Sequence, residues 1–146
     1  MERLFCVKAT IGIRNNGYRD VYIGSVMLTD WLRKEGLVSN KVASQVDAPQ
    51  WIFESSDFKT AFLRGFFDTD GSIYRLRFGK QISLTNKSLP LLYSLQRMLI
   101  ELGYKASAVS SDRVYLTKKS DINRFFDEVR PANTKHLRRF EIFSDT

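Results

Sequence analysis

Apolar and polar residues alternate from Leu4 to Arg14, with Phe5, Val7, Ala9, Ile11 and Ile13 on one side and Lys8, Thr10, Gly12 and Arg14 on the other. A period of two predicts a half-buried strand. Asn15-Asn16-Gly17 is a hairpin turn signal, and the chain from Tyr18 to Ile23 reads as the returning strand. A helix with Leu28, Trp31 and Leu32 follows and stops near Gly36; residues 37–54 then form a largely polar connector through Pro49. From Ser55 the period lengthens. Phe58, Ala61, Phe62, Gly65 and Phe66 recur at three- and four-residue steps, which predicts a helix started by Ser55, Ser56 and Asp57. Gly71 is expected to end it in the left-handed conformation.

A second hairpin is expected to turn near Gly79-Lys80, with Arg75 and Arg77 on its first strand. On its second strand Ile82 and Leu84 alternate with Gln81, Ser83 and Thr85. Asn86-Lys87-Ser88 cap a helix carrying Leu91, Leu92, Leu95, Met98, Leu99 and Leu102, which Gly103 closes. Residues 105–109 and 113–117 predict another hairpin about Ser110-Ser111-Asp112. Ser120 is expected to cap a last helix whose Ile122, Phe125, Phe126 and Val129 face inward until Pro131. The segments RDVYIGSVMLTDWLRKEGLVSNK and DRVYLTKKSDINRFFDEVRPANTK share a Val-Tyr-aliphatic strand and a helix with an apolar triplet. The alternative is chance similarity of two short strand-helix pieces. Read as a repeat, they predict a partial β-β-α unit over 1–54 and a complete α-β-β-α-β-β-α unit over 55–146. The class is then α+β with a mainly antiparallel sheet.

Charge narrows the partners. Lys and Arg number 23 against 16 Asp and Glu, a net charge of +7, with a pI near 9.7. Such an excess favours a polyanion without choosing among DNA, RNA and a membrane surface. Cys6 is the only cysteine and His136 the only histidine, so a disulfide framework, a cysteine zinc site and a histidine relay are excluded. The alternating N-terminus shows neither a signal-peptide core nor a membrane span. The expectation is a soluble, cytoplasmic protein.

Asp68 and Asp70 sit at the last turn of the central helix, where the macrodipole is negative and carboxylates are unfavourable by about 0.3–1 kcal/mol each. A divalent cation removes that penalty. Asp-x-Asp-Gly is also ordinary turn chemistry, and both readings stay open on these residues alone. An EF-hand loop is excluded, because the position twelve along is Gly79 or Gln81 instead of Glu.

Leu63-Arg64-Gly65-Phe66-Phe67-Asp68-Thr69-Asp70-Gly71 resembles the motif of the LAGLIDADG homing endonucleases, the DNA-cutting enzymes of mobile introns and inteins, with Arg64 and Thr69 in place of small Ala. The similarity extends through GSIY, ISLTNKSLPLL and NTKHLRRFEIF and back through VDAPQWIFESSDFKTAFLRG. It implies that two such helices pack side by side, here through Phe62, Gly65 and Phe66. The pairing would be a homodimer or a union with a complementary fragment. It implies that Asp70 and the carbonyl of Gly71 hold Mg²⁺, that Lys87 and Asn86 order water at the cleavage site, and that Asp68 is structural. Four strands per unit would form half of a saddle on the major groove of double-stranded DNA. The polar residues of that surface are Arg75, Arg77, Gln81, Ser83, Thr85, Lys105, Ser107, Arg113 and Tyr115, with Lys8, Thr10, Arg14 and Arg19 continuing it.

Two rival readings exist. A haloacid-dehalogenase-type phosphatase has a nucleophile motif similar to FFDTDGS, but needs its first Asp at the end of a parallel strand on a doubly wound sheet. The helical period before Asp68 speaks against it. A non-cutting DNA-binding remnant is the other, because one acidic motif is present where the enzymes use two.

Overall fold

The computed structural model describes residues 7–37 and 44–144, in two compact units, 7–37 and 44–144. The class is α+β, with antiparallel sheets throughout. Leu4 and Phe5 of the expected first strand, and Asn40 and Lys41 of the repeat, lie outside the described residues.

In the first unit β1 (Thr10–Ile13) pairs antiparallel with β2 (Arg19–Tyr22), and α1 (Val26–Lys34) follows. Gly17 adopts φ +80 in the predicted turn, and the Asn16 side chain accepts a hydrogen bond from the Tyr18 amide. Ser25 caps α1 through the Leu28 amide. The strands are shorter than the alternation predicts, and the side expected to be half-buried is open: Ile11 is 64% and Ile13 73% exposed. Two strands and one helix of nine residues offer too little apolar area to form a core.

The second unit begins with a short 3₁₀ helix, Gln50–Glu54, and continues through α2 (Ser56–Asp70), β3 (Gly71–Leu76), β4 (Gly79–Thr85), α3 (Leu89–Glu101), β5 (Arg113–Leu116), α4 (Lys119–Glu128) and α5 (Thr134–Ser144). Ala48 and Ile52, placed by composition in the connector, are buried in this unit's core. The sheet order is β3-β4-β5. Ile73 opposes Ile82, Ile82 opposes Leu116 and Leu84 opposes Val114. These residues form the covered face. Leu63 and Phe67 of α2, Leu92, Leu95, Met98 and Leu99 of α3, and Ile122 and Phe125 of α4 share one core with them. Phe67 meets Phe125 and Phe126 edge-on at 5.2 and 5.9 Å between ring centroids. Each fully buried side chain of this kind stabilises the fold by about 1.5–3 kcal/mol.

The expected fourth strand, 105–109, does not form, because side chains take its backbone groups. The Ser107 amide donates to the Tyr115 carbonyl, but the Tyr115 amide donates to Ser107 Oγ. Gln96 Nε2 donates to the Ser107 carbonyl, and the Lys105 amide donates to Asp121. Only an isolated bridge, Ser110 to Arg113, remains. The last helix of the pattern, α4, starts at Lys119 without a side-chain cap from Ser120. A further helix, α5, follows Pro131; its Leu137, Phe140 and Phe143 pack against the core.

Gly71 ends α2 in an extended conformation, φ −84 and ψ 164, and not in the left-handed region. Close approach is the reason for glycine: a Cβ there would lie 2.2 Å from Phe67 Cδ2 and 2.6 Å from the Phe67 carbonyl. Gly71→Ala is therefore expected to destabilise the second unit by about 1–3 kcal/mol, the usual cost of overpacking, measured as a lower urea midpoint.

Candidate active site and nucleic-acid interface

The two motif aspartates have opposite surroundings. Asp68 accepts hydrogen bonds from the amides of Ala132 and Asn133 at 3.0 Å, and its carbonyl accepts from Asn133 Nδ2 at 2.8 Å. These bonds join the end of α2 to the start of α5. Asp70 is exposed and has no hydrogen-bond or ion-pair partner among the described residues. Asp68→Asn should cost about 1.5–3 kcal/mol, the scale of hydrogen bonds to a charged group, in urea unfolding.

His136 packs against Phe67, 4.6 Å between ring centroids. Burial pushes its pKa below the usual histidine range, while the nearby Asp68 carboxylate pulls it upward.

Gly71 opposes Leu84, so Asp70 lies at the sheet end where β4 leaves through Thr85, Asn86 and Lys87. β5 enters at the same end through Asp112 and Arg113. Lys87 Nζ donates to Asp112 Oδ2 at 3.0 Å. This bond, the largest influence on Asp112, holds its carboxyl below the usual range. The Asn86 side chain accepts from the Ser88 amide, and its own amide donates to the Asp112 carbonyl. Both residues are thus fixed in the turn from β4 to α3.

The face of the sheet opposite the core carries Ser72, Tyr74, Gln81, Ser83, Thr85, Arg113 and Tyr115, since Tyr74 opposes Gln81, Ser83 opposes Tyr115 and Thr85 opposes Arg113. Tyr74 Oη donates to Gln81 Oε1 at 2.6 Å. Burial, and then Tyr115, raise the Tyr74 pKa, which keeps its hydroxyl a donor. Ser83 is only 2% exposed, so its neighbours cover it. Tyr74 belongs to this surface although the polar pattern passes over it; its position opposite Gln81 is the signal.

Other expected contact residues are placed differently. Arg75 opposes Lys80 and therefore belongs to the covered face, at its exposed end. Arg77 lies in the β3–β4 turn with its guanidinium 5.1 Å from the exposed Phe78 ring. Lys105 is exposed outside any strand and Ser107 lies beside Tyr115. In the first unit Lys8 precedes β1, Arg14 pairs with Asp20 beyond its end, and Thr10 and Arg19 fall on opposite faces of the hairpin. Those four do not share one strand face, because Ile13 opposes Arg19 while Thr10 opposes Tyr22.

On α2 the side facing the core is Lys59, Leu63, Phe66 and Phe67. Phe66, at 9% exposure, belongs to the core and not to the expected pairing surface. Phe58, Ala61 and Gly65 are exposed along the other side, with Phe62 half-buried beside them. Nothing lies within 4 Å of a Cβ built on Gly65. Arg64, the large residue at a small position of the motif, turns away: its Nε donates to the Val129 carbonyl at 2.8 Å.

Among the described residues no three His, Cys, Asp or Glu side chains gather into a metal cluster. The Asp70 carboxylate and an adjacent main-chain carbonyl are hard oxygen donors suited to Mg²⁺, but they are a partial ligand set. No helix among the described residues is long and apolar enough to cross a membrane.

Residues 57–141, more than half of the chain, match the family described as a LAGLIDADG-like domain. The chain belongs to the LAGLIDADG homing endonuclease family. It is also 28% identical over 133 residues to the replication factor C small subunit of Methanocaldococcus jannaschii, a match covering 86% of this chain. The chain spans 7% of the length of that relative. Nucleases that bind DNA and use divalent metal ions characterise the family.

Proposed function

We propose that the protein is a homing-type endonuclease that cleaves specific sites in double-stranded DNA, with Mg²⁺ held at Asp70 and the Gly71 carbonyl. The observation that carries this reading is the contrast between Asp68, whose carboxylate is consumed by backbone amides, and Asp70, exposed and unpartnered immediately before β3. A hard cation there supplies charge to activate water and stabilise the leaving oxygen. The chain's own part is to fix Asp70 at the end of a rigid helix and to hold Asn86 and Lys87 at the same end of the sheet. Lys87 and Asn86 would order water near the phosphate. Arg113, Gln81, Thr85 and Tyr115 would read the major groove, where Arg suits guanine and Gln suits adenine. Arg77, Lys105 and Ser107 would add phosphate contacts, as would Arg75, Lys8, Thr10, Arg14 and Arg19 at their separate places; Ser83 supports its neighbours.

One chain supplies one such aspartate. The Ala61 and Gly65 side of α2 is an exposed, small-residue strip, bordered by Phe58, which packs edge-on against Trp51 and stays partly open, and it suits an isologous homodimer that brings two Asp70 side chains together. Residues 7–37 we read as the back part of a first unit of the same type, since β2-α1 repeats the strand-helix order of β5-α4; a complementary fragment could complete it. A match to 7% of a much longer protein suits a domain carried inside a host gene, as in an intron or intein.

Micromolar sedimentation with and without Mg²⁺ tests the pairing. A dimer that tightens with Mg²⁺ and that Gly65→Arg dissociates is expected; a monomer in every condition would leave the second reading, a DNA-binding remnant that does not cut.

A further inference from the structure

We infer that Asn133, acting with Asp68, is a positioning residue for Asp70; the inference rests on the reading of Asp70 as a metal ligand. The last carbonyls of a helix have no intrahelical partner, and at the end of α2 Asn133 supplies one. Its Nδ2 donates to the Asp68 carbonyl at 2.8 Å, while its Oδ1 accepts from the Lys135 amide at 3.0 Å and so caps α5. One side chain therefore ties the start of α5 to the last turn of the motif helix. The Asp68 carboxylate repeats the tie from the other side, through the Ala132 and Asn133 amides.

The neighbours on either side of Asp68 are also held. Phe67 lies between Phe125 and His136, with centroid distances of 5.2 and 4.6 Å. Thr69 Oγ1 lies 3.1 Å from both the Gly65 and Phe66 carbonyls. Residues 67, 68 and 69 are each anchored, and residue 70 alone in this turn presents its side chain without a partner. A carboxylate delivered from a fixed backbone loses less freedom when it takes a cation than one on a fraying helix end. Residues that orient a ligand in this way typically change metal affinity by about 10–100-fold when replaced.

The test uses the full chain and Mn²⁺ alone, following paramagnetic broadening of the Gly71 and Ser72 amide signals. Asn133→Ser keeps a good helix cap for α5 but cannot reach the Asp68 carbonyl. The expected result is a Mn²⁺ midpoint raised about tenfold or more, with the amide shifts of residues 134–137 near those of the parent and a urea midpoint lowered less than by Asp68→Asn. Asp68→Asn, which weakens the same tie, should shift the midpoint in the same direction and decides the matter if the Asn133 variant does not fold. Unchanged Mn²⁺ midpoints in the folded variants would overturn the inference while leaving Asp70 as a ligand. Absence of broadening in the parent, or broadening that Asp70→Asn leaves intact, would instead remove the metal reading and the inference with it.

Discussion

Asp70→Asn is expected to lower Mg²⁺-dependent DNA cleavage by about 10²–10³-fold or more, the scale lost when one preorganised charge is removed from a hydrolytic site, while DNA binding is largely kept. The substitution preserves size and removes the charge that a hard cation requires. Because Asp70 makes no hydrogen bond among the described residues, the change leaves no broken structural contact behind. The fold should therefore keep or slightly raise its urea midpoint, since a carboxylate opposed by the helix macrodipole is removed, unlike that of Asp68→Asn. Single-turnover cleavage and gel-shift titrations on the same samples separate the effects. Equal loss of binding and cleavage would assign Asp70 to DNA contact instead of metal chemistry.

DNA affinity should fall steeply with salt. The chain carries +7, and Arg113 lies on the open face of the sheet beside Tyr115. If roughly 6–10 phosphates are neutralised, the association constant drops about 10³–10⁵-fold between ~50 and ~200 mM salt through counterion release. Arg113→Ala should reduce the slope of log affinity against log salt by about 1 if it meets a phosphate, or relax base preference if it meets a guanine. Lys34→Ala, on the helix of the other unit, should do neither. A flat salt response would contradict the polyanion reading of the charge.

The central helix was legible because two signals agreed: a serine that caps the Phe58 amide and an apolar period close to 3.6. Which of its sides faces inward was not, since both carry Phe. Phe58 and Phe62 make one strip look like core, and only the sheet built by residues far along the chain selects Leu63, Phe66 and Phe67. Gly71 has a similar ambiguity. A glycine after a helix signals either positive φ or close backbone approach, and the Phe67 ring that decides between them is a tertiary placement.

The strand expected over 105–109 failed for another reason. Its alternation is real, but Ser107, Gln96 and Asp121 compete for its backbone groups. At the site, the pair of aspartates was visible while their division of labour was marked only by similarity. The partners that separate Asp68 from Asp70 lie 64 and 65 residues away. A local cue to them existed: Asn133 two residues after Pro131, followed by Leu137 and Phe140 at helical spacing, marks a capped helix whose first turn had to meet something.

The most direct test of paired Asp70 side chains is a mixed dimer. Parent and Asp70→Asn chains with different tags are co-purified as a heterodimer and given long double-stranded DNA with Mg²⁺. Paired Asp70 side chains should give double-strand breaks from the parent dimer, nicks in one strand at most from the mixed dimer, and no breaks from the doubly substituted one. Double-strand breaks by the mixed dimer at the parent rate, or failure of the two chains to co-purify while the parent still cuts, would contradict the pairing.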